Sequence, residues 1–439
     1  MSKLFDALVT TPEMDEAFSD GAAVAAMVLF ETALARAEAR AGVIPESAAD
    51  AISSVDVSGD IGAFATSARA SATPAIPLVA MLTAAVAEKD RAAANFVHRG
   101  ATSQDVTDTA LVLCLRRART ALDATHVRTV AALRRLSTEH ASTVMLARTL
   151  LQPAPPTTFG LKAAGWLGSL TRAHRSLAAA VDGALVLQFG GASGTLAALG
   201  ADGITVAEHL AHELGLPLPD APWHAHRDRL ASLVACCGVY AGTIAKAARD
   251  VVLLMQGEIG EASEPGGGSS TMPHKRNPAG CVAALAAASR VPGLVATYLT
   301  GMAQEHERGV GGLQAEWTTI ASAVSSTGAA SAALAGVFET LHVDPARMRR
   351  AIEETHGAIF AERAMMRLAP ALGRDAAARI VADAVAAAAG GESFAQALLA
   401  HRDASAALTD DERRTLESPD AYLGVAEEFR RRLAGEGGD

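Results

Sequence analysis

Aromatic residues are scarce in this chain: they make up 4% of its 439 residues, although hydrophobic residues make up 50%. Alanine dominates the apolar residues, and alanine is the best helix former. We therefore predict a core of small and aliphatic side chains carried on helices. We find no convincing strand pattern and no internal repeat, which favours an all-α protein of two or three domains.

Cysteine is also scarce, and its spacing excludes the common metal motifs. The chain has four cysteines without a CxxC pair or other metal-ligand spacing: Cys114, Cys236, Cys237 and Cys281. We therefore expect reduced thiols in a cytoplasmic protein that holds no metal. No basic flank precedes an apolar run at the N-terminus, so we also expect no secretion signal.

Neither a membrane nor a nucleic acid is an expected partner. The longest uncharged segment, residues 318–338, is rich in Ser, Thr, Gly and Ala and too polar for a membrane span. The formal net charge is −10 and no basic stripe offsets it, which argues against nucleic-acid binding. A protein this acidic has to concentrate positive charge locally if it binds an anion, which directs attention to Lys275, Arg276 and Arg308.

One stretch has the composition of an anion-binding loop. Residues 264–268 read Glu-Pro-Gly-Gly-Gly, and residues 268–278 read Gly-Ser-Ser-Thr-Met-Pro-His-Lys-Arg-Asn-Pro. The glycines allow positive φ, and successive backbone amides can converge on one negative charge. Ser269, Ser270, Lys275 and Asn277 add hydroxyl, ammonium and amide donors. The pattern predicts an oxyanion site with a proton carrier, whereas a simple linker would explain only the glycines.

This stretch resembles the signature of the fumarase/aspartase superfamily, Gly-Ser-Ser-x-Met-Pro-x-Lys-x-Asn, at every fixed position of residues 268–277. The resemblance extends over essentially the whole chain. It implies an all-α fold of three helical domains, which we place at residues 1–108, 109–343 and 344–439. It also implies a central bundle of five long helices that forms a twenty-helix core in a homotetramer, with each active site shared by three subunits.

The spacing of apolar residues independently predicts long helices in the middle third of the chain. A helical pattern runs from Asp108 to about His140, and others fit residues 159–181, 227–261, 279–305 and 314–341. Before them, Ser19 and Asp20 can cap a helix that runs to Gly42, whereas residues 1–17 have the pattern of an irregular arm. Helices this long leave apolar faces for other subunits.

A segment from His98 to Thr109 resembles the superfamily's first substrate-binding region. Thr102, Ser103 and Gln104 stand at a predicted helix start, where hydroxyls and free amides can hold a carboxylate. The Thr and Asp side chains of this segment, Asp105 among them, could instead form an N-cap cluster that satisfies the helix's own amides, and this alternative stays open. The resemblance adds His98 to the predicted substrate-binding residues.

Residues 148–158 resemble the second region, with one departure that decides the chemistry. Hydratases and amino-acid lyases of the superfamily read Arg-Thr-His-x-Gln there, whereas this chain has Leu150 at the histidine position. An amine or hydroxide leaving group needs a proton donor, but a carboxylate, with a pKa near ~4, departs without one. Thr149 and Gln152 are the predicted substrate ligands of this region.

The third region, residues 304–309, reads Gln-Glu-His-Glu-Arg-Gly. It resembles the His-Glu-Arg of adenylosuccinate lyases, whose arginine binds substrate, so Arg308 is a candidate carboxylate ligand. His306 and Glu307 fit a solvated helix end equally well. Those lyases also have a glutamate soon after the lysine of the loop, whereas residues 281–285 read Cys-Val-Ala-Ala-Leu.

The missing histidine and the missing glutamate indicate one lost function, the protonation of a basic leaving group. We therefore hypothesise a lactonising cycloisomerase that acts on a linear, unsaturated tricarboxylate without metal or organic cofactor. Ser269 carries the proton, and Lys275 and Asn277 stabilise the intermediate. The predicted substrate ligands are His98, Thr102, Ser103, Gln104, Thr149, Gln152, Ser270 and Arg308. Two alternatives stay open: a lyase that releases a weakly basic group such as nitrite, and an inactive helical scaffold.

Overall fold

The computed structural model describes residues 3–57, 59–268, 271–272 and 275–436. Its α-helices are α1 Lys3–Asp6, α2 Pro12–Ala17, α3 Asp20–Arg40, α4 Glu46–Ser53, α5 Ile61–Ser71, α6 Ala75–Lys89, α7 Ser103–Glu139, α8 Phe159–Ala184, α9 Gly203–Leu214, α10 Asp228–Leu254, α11 Ala279–Gly301, α12 Gly312–Thr340, α13 Pro345–Glu353, α14 Ala361–Leu372, α15 Arg374–Ala389, α16 Phe394–Ala400, α17 Arg402–Ala407, α18 Asp410–Thr415 and α19 Ala426–Ala434. Short 3₁₀ helices lie at Ala93–Phe96, Gly200–Asp202 and Ala358–Phe360.

The five long helices predicted from the apolar spacing are present as α7, α8, α10, α11 and α12. Their starts agree with the predictions to within a few residues. The largest error is the end of α10, which stops at Leu254 rather than at residue 261. The segment that follows contains Gly257 and Gly260. Gly260 takes a left-handed φ of 60°, and a right-handed helix cannot continue through that conformation.

The prediction of an irregular arm at residues 1–17 was wrong. The described part of this arm contains α1 and α2, and α2 begins with Pro12 after Thr11, whose side chain accepts a hydrogen bond from the Met14 amide. Proline at the first helical position and threonine before it are both helix-start signals. Helices of 4 and 6 residues are too short to show an apolar period, so the pattern hid them.

The prediction that the chain has no strands was also wrong. Strands β1 Val144–Thr149 and β2 Gln152–Thr158 form an antiparallel ribbon, and β3 Ala262–Ser263 pairs with β4 His342–Val343. Three prolines in β2 argued against a strand: Pro153, Pro155 and Pro156. A two-stranded ribbon tolerates them, because each strand has an outer edge whose N–H groups need no partner in the sheet.

The chain divides into two compact units. The first consists of Met1–His126, Arg172–Ala245 and Ala283–Ala333, and the second of Val127–Thr171, Lys246–Val282 and Leu334–Asp439. The three-domain division stays a prediction. In the first unit, a buried cluster joins α3, α4 and α6, and Phe96 and Val97 pack against it. In the second, Val144 and Leu146 of β1 are buried among residues of the C-terminal helices.

Four helical stretches of the described residues are long and apolar enough to cross a membrane by length and composition alone: Pro12–Arg40, Asp228–Leu254, Ala279–Gly301 and Gly312–Thr340. The last contains residues 318–338, so our expectation that this segment is too polar for a span was wrong on composition. Helices of this length and apolarity also suit the predicted bundle.

Candidate active site

Asp105, in the first turn of α7, joins three segments of the first unit. Its carboxylate is fully buried and accepts hydrogen bonds from the amides of Thr102, Gly190 and Gly191 at 2.9–3.0 Å. It also contacts His224 Nε2 at 2.7 Å. These bonds hold the loop at residues 189–191 and the His224 segment against the start of α7. The sequence pattern identified Asp105 only as a possible helix cap.

A buried ionic network lies next to Asp105 along α7. Arg227 donates two hydrogen bonds to the Asp108 carboxylate at 2.8 and 2.9 Å, and two to Glu316 at 2.7 and 3.0 Å. The side chains of all three residues are at most 1% exposed. Burial alone would lower the pKa of Arg227, but the charges and hydrogen bonds of the two carboxylates raise it on balance. The network joins the starts of α7, α10 and α12.

The structure brings together two of the predicted substrate ligands, Thr102 and Arg308. Arg308 Nη1 donates to the Thr102 hydroxyl at 2.9 Å, and Nη2 donates to the Ala192 carbonyl at 3.1 Å. The Thr102 hydroxyl therefore accepts from Arg308, and Asp105 provides the capping bond to the Thr102 amide. Arg308 Nε is buried and has no partner in the described part of the chain.

The other predicted ligands of this region differ in accessibility. Ser103 is the first residue of α7 and is partly exposed. Gln104 is buried, and its amide Nε2 donates to Asp108 and to the His224 carbonyl, which leaves only Oε1 without a partner among the described residues. His98 lies against α3, with Nδ1 at 2.6 Å from Glu31 Oε1. Their roles as ligands stay predictions.

The β1–β2 ribbon of the second unit ends in a turn with two exposed leucines. Thr149 pairs with Gln152, and Leu150 and Leu151 between them have φ values of 50° and 64°. Positive φ at both turn residues is the geometry that usually selects Asn-Gly, and each leucine there costs roughly 1–2 kcal/mol. Leu150 is 97% exposed and Leu151 is 72% exposed. The predicted ligands Thr149 and Gln152 flank this apolar tip and are also exposed.

An ion pair fixes the ribbon near its tip. Arg148 forms a double hydrogen bond with Glu261, at 2.9 and 2.7 Å, and the Glu261 side chain is fully buried. Glu261 lies just before β3, and its carbonyl accepts from the Asp344 amide at 3.0 Å. The guanidinium of Arg148 is thus occupied within the protein, although it stands beside the predicted ligand Thr149.

The carboxylate of Glu264 joins the two ends of the stretch at residues 264–278, which we call the signature loop. Glu264 accepts from the amides of Gly280 and Cys281 at 2.8 and 3.1 Å, in the first turn of α11. These amides have no partner within the helix, and Pro278 before it has no side-chain cap to offer. Glu264 therefore caps α11 from a distance and closes the base of the loop. A Cβ at Gly280 would lie 2.6 Å from Val337 Cγ2 and 2.9 Å from Glu264 Oε2, so a larger residue there would force these side chains to shift.

Above this base, the two sides of the loop pair with each other. The Asn277 amide donates to the Gly267 carbonyl at 2.9 Å, and Gly268 bridges Arg276. Gly267 has a φ of 65°, and a Cβ on it would lie 2.1 Å from the Asn277 carbonyl oxygen. The Lys275 amide donates to the Met272 carbonyl at 3.0 Å. The predicted catalytic residue Ser269 and its neighbour Ser270 lie outside the described residues.

Glu264 brings a carboxylate to the start of α11 from the other side of the loop, but both of its oxygens accept from backbone amides there. Cys281 occupies the position beside it, and burial together with Glu264 raises the pKa of its thiol. All four cysteines are free thiols. Within the described ranges, no group of three or more His, Cys, Asp and Glu side chains could hold a metal ion.

Comparison with known proteins identifies the class. A model described as lyase matches residues 7–293, and one described as the adenylosuccinate lyase C-terminus matches residues 357–433. The chain belongs to this lyase family, that is, to the fumarase/aspartase superfamily. The predicted membership and the all-α fold are confirmed.

Three individual relatives are similar to this chain over nearly its whole length. The chain is 45% identical to 3-carboxy-cis,cis-muconate cycloisomerase of Bradyrhizobium diazoefficiens, over 99% of this chain and 98% of that protein. It is 41% identical to nitrosuccinate lyase of Streptomyces davaonensis, over 94% and 90%. The crystal structure of 3-carboxy-cis,cis-muconate lactonizing enzyme from Pseudomonas putida has a TM-score of 0.93 at 43% identity, covering 99% of both chains.

Proposed function

We propose that the protein catalyses the cycloisomerisation of 3-carboxy-cis,cis-muconate to 4-carboxymuconolactone, a lactonising step in the degradation of aromatic compounds such as protocatechuate. The observation that carries the proposal is Leu150, an apolar side chain at the ribbon tip where hydratases and amino-acid lyases of the superfamily have a histidine. A tethered carboxylate nucleophile needs no proton donor at that position. The names of the relatives above support the same reaction.

In the proposed reaction, one carboxylate oxygen of the substrate forms a bond to a carbon of the conjugated diene. The electron pair of the double bond moves onto a second carboxylate and gives an aci-carboxylate intermediate. Ser269 then delivers a proton to the adjacent carbon and regains one from solvent, so the product, counted as the acid, is an isomer of the substrate acid. Lys275, Asn277 and the loop amides stabilise the intermediate's negative charge. Because nucleophile and electrophile belong to one molecule, positioning supplies much of the acceleration.

The remaining carboxylates of the substrate require further hydrogen-bond donors. The contact between Thr102 and Arg308 supports their action as one subsite, with His98, Ser103 and Gln104 beside them. Thr149 and Gln152 at the ribbon tip, and Ser270 in the loop, complete the proposed ligand set. We assign the assembly of these parts to a cytoplasmic homotetramer in which three subunits share each site. Sedimentation of the purified protein tests the tetramer.

A second candidate function is the release of nitrite from nitrosuccinate. The relative that bears this name is 41% identical to the chain, and nitrite is a weakly basic leaving group that Leu150 also permits. An inactive scaffold is less favoured, because the residues of the signature loop are all present.

One assay separates these functions. Purified protein without added metal is incubated with 3-carboxy-cis,cis-muconate, and the loss of diene absorbance is followed, while a parallel reaction with nitrosuccinate is assayed for nitrite. We expect loss of diene absorbance. Nitrite release without any change in the muconate would instead establish the lyase, and inactivity on both would favour the scaffold.

Removing the Glu264 side chain is expected to slow turnover. Glu264→Ala leaves two amides at the start of α11 unsatisfied at a site 5% exposed, which costs about 1–3 kcal/mol of stability. It also opens the base of the signature loop, so we expect kcat to fall at least about tenfold. Glu264→Gln keeps an acceptor oxygen and should lose less. Thermal unfolding and kcat report the two effects, and a wild-type kcat in the alanine variant would contradict a role for the closed base.

A further inference from the structure

Helix α3 buries two carboxyl groups on one face. Glu31 and Glu38, seven residues apart, are 2% and 0% exposed. Neither oxygen of Glu38 has a hydrogen-bond partner among the described residues. Burial, opposed by Arg99 and reinforced by Glu31, raises the pKa of Glu38 to about 8. Glu31 is the member of the pair with a side-chain partner among the described residues, and that partner is His98.

The Glu31–His98 contact is short and sterically constrained. The Oε1–Nδ1 distance is 2.6 Å, and Oε2 of Glu31 is buried without a partner in the described part of the chain. His98 has a left-handed φ of 59°, which a residue with a Cβ adopts only when its surroundings impose it. The preceding residues Phe96 and Val97 pack against the cluster of α3, α4 and α6, which supplies that constraint.

The contact determines which ring nitrogen of His98 is available. Nδ1 beside a carboxylate carries the proton and donates it, so Nε2 is the nitrogen left for a ligand. Nε2 has no hydrogen-bond partner in the described ranges, and the side chain is 20% exposed. Burial alone would lower the pKa of His98, but the hydrogen bond and charge of Glu31, together with the charge of Asp105, raise it on balance. Asp105 lies in the first turn of α7, so its charge acting on His98 indicates that the ring is near the start of that helix.

We propose that Glu31 is a positioning residue for the reaction: its carboxylate accepts from Nδ1–H, fixes the ring of His98 and favours the imidazolium, whose Nε2–H donates to a substrate carboxylate at the start of α7. This assignment rests on the proposed function for the identity of the substrate. A cation on His98 adds to Arg308 and to the amides of the α7 start, where negative charge is favoured. Glu31 stands 67 residues before His98 and contacts no substrate in this assignment.

The variant Glu31→Gln tests the proposal because it keeps the size and an acceptor oxygen but removes the charge. Without the Glu31 charge the imidazole should lose its proton at a lower pH than in wild type, so the KM for 3-carboxy-cis,cis-muconate should rise about tenfold at the pH where only the wild-type ring is charged, with kcat within about twofold of wild type. At still lower pH, solution protons restore the imidazolium of the variant, and its KM should return toward the wild-type value. Glu38→Gln, assayed over the same pH range, is the matched control, because Glu38 lies on the same face of α3 but makes no hydrogen bond to His98.

A structural role for Glu31 predicts a different pattern. A KM equal to wild type at every pH, or a loss that is constant with pH and accompanied by a lower Tm, would overturn the proposal. The double variant Glu31→Gln, His98→Gln should bind substrate no worse than His98→Gln alone. If the KM of the double variant exceeds that of His98→Gln by the same factor by which the KM of Glu31→Gln exceeds that of wild type, Glu31 acts through another residue.

A titration without substrate keeps this test independent of the proposed function. The protein is labelled with 13C-histidine, and the His98 signal is assigned by its absence in His98→Gln. We expect the pKa of His98 to be lower in Glu31→Gln than in wild type, whatever the substrate is. An identical titration in both proteins would refute the dyad, whereas failure to turn over the muconate with a shifted titration would refute only the proposed function.

Discussion

Replacing Ser269 with alanine is expected to leave the fold intact and to remove nearly all turnover. The proposed reaction has one proton transfer to carbon, and no other hydroxyl in the signature is assigned to it. The frame of the loop does not depend on this side chain, because Glu264 closes its base and Gly267 pairs with Asn277. Steady-state kcat together with a thermal melt of the purified variant measures both expectations.

Two further variants make the Ser269 result specific. Ser270→Ala, which removes a predicted substrate ligand, should raise KM more than it lowers kcat. Ser289→Ala, on the exposed side of α11, should behave as wild type. If Ser269→Ala keeps more than about a tenth of the wild-type rate, the side chain supplies less than ~1.4 kcal/mol to the barrier and is not the proton carrier.

The long helices were predictable because each carries its apolar period over more than twenty residues. α8, for example, was predicted to begin at Phe159, and it does. The ribbon that holds Thr149 and Gln152 was not predictable in the same way. Its strands are 6 and 7 residues long, and three prolines in β2 mimic a loop. Helices and strands are detected in a sequence by the regular repeat of their apolar residues, and these strands are too short and too irregular to show such a repeat.

The candidate site residues likewise fall into two groups, those that a short sequence pattern identified and those that it did not. Ser269, Lys275 and Asn277 were found because they lie within ten residues in a fixed order. Asp105 and His224 were not found as a pair, because 119 residues separate them. A charged residue at a predicted helix start has a sufficient local explanation as a cap, so nothing in the sequence pointed to its buried partner. Only the fold brings such residues together, and the same holds for Glu31 and His98.

Arg227 is the second site where we expect a large effect, on stability rather than on chemistry. It was predicted only as the first residue of a helix, yet its side chain is fully buried between Asp108 and Glu316 and lies over the Trp223 ring at 4.7 Å. Arg227→Met removes the single cation and leaves two buried carboxylates facing each other's charge. We expect a loss of about 3–5 kcal/mol in the free energy of unfolding. Denaturant unfolding of the purified variant measures this loss.

The size of this loss depends on unpaired charge rather than on lost volume, and a combined variant separates the two causes. Arg227→Met together with Asp108→Leu and Glu316→Met removes the whole buried network, and it should recover most of the stability, because apolar replacement of a complete buried ion cluster is often neutral or stabilising. Arg432→Met, which breaks the exposed pair with Glu428 at 2.6 Å, should change stability by no more than about 0.5 kcal/mol. A combined variant as unstable as Arg227→Met would show that packing around α7, α10 and α12, and not charge pairing, is what Arg227 provides. A recovered stability with lost activity would instead assign the network to holding the start of α7, with Thr102 and Arg308, in its working geometry.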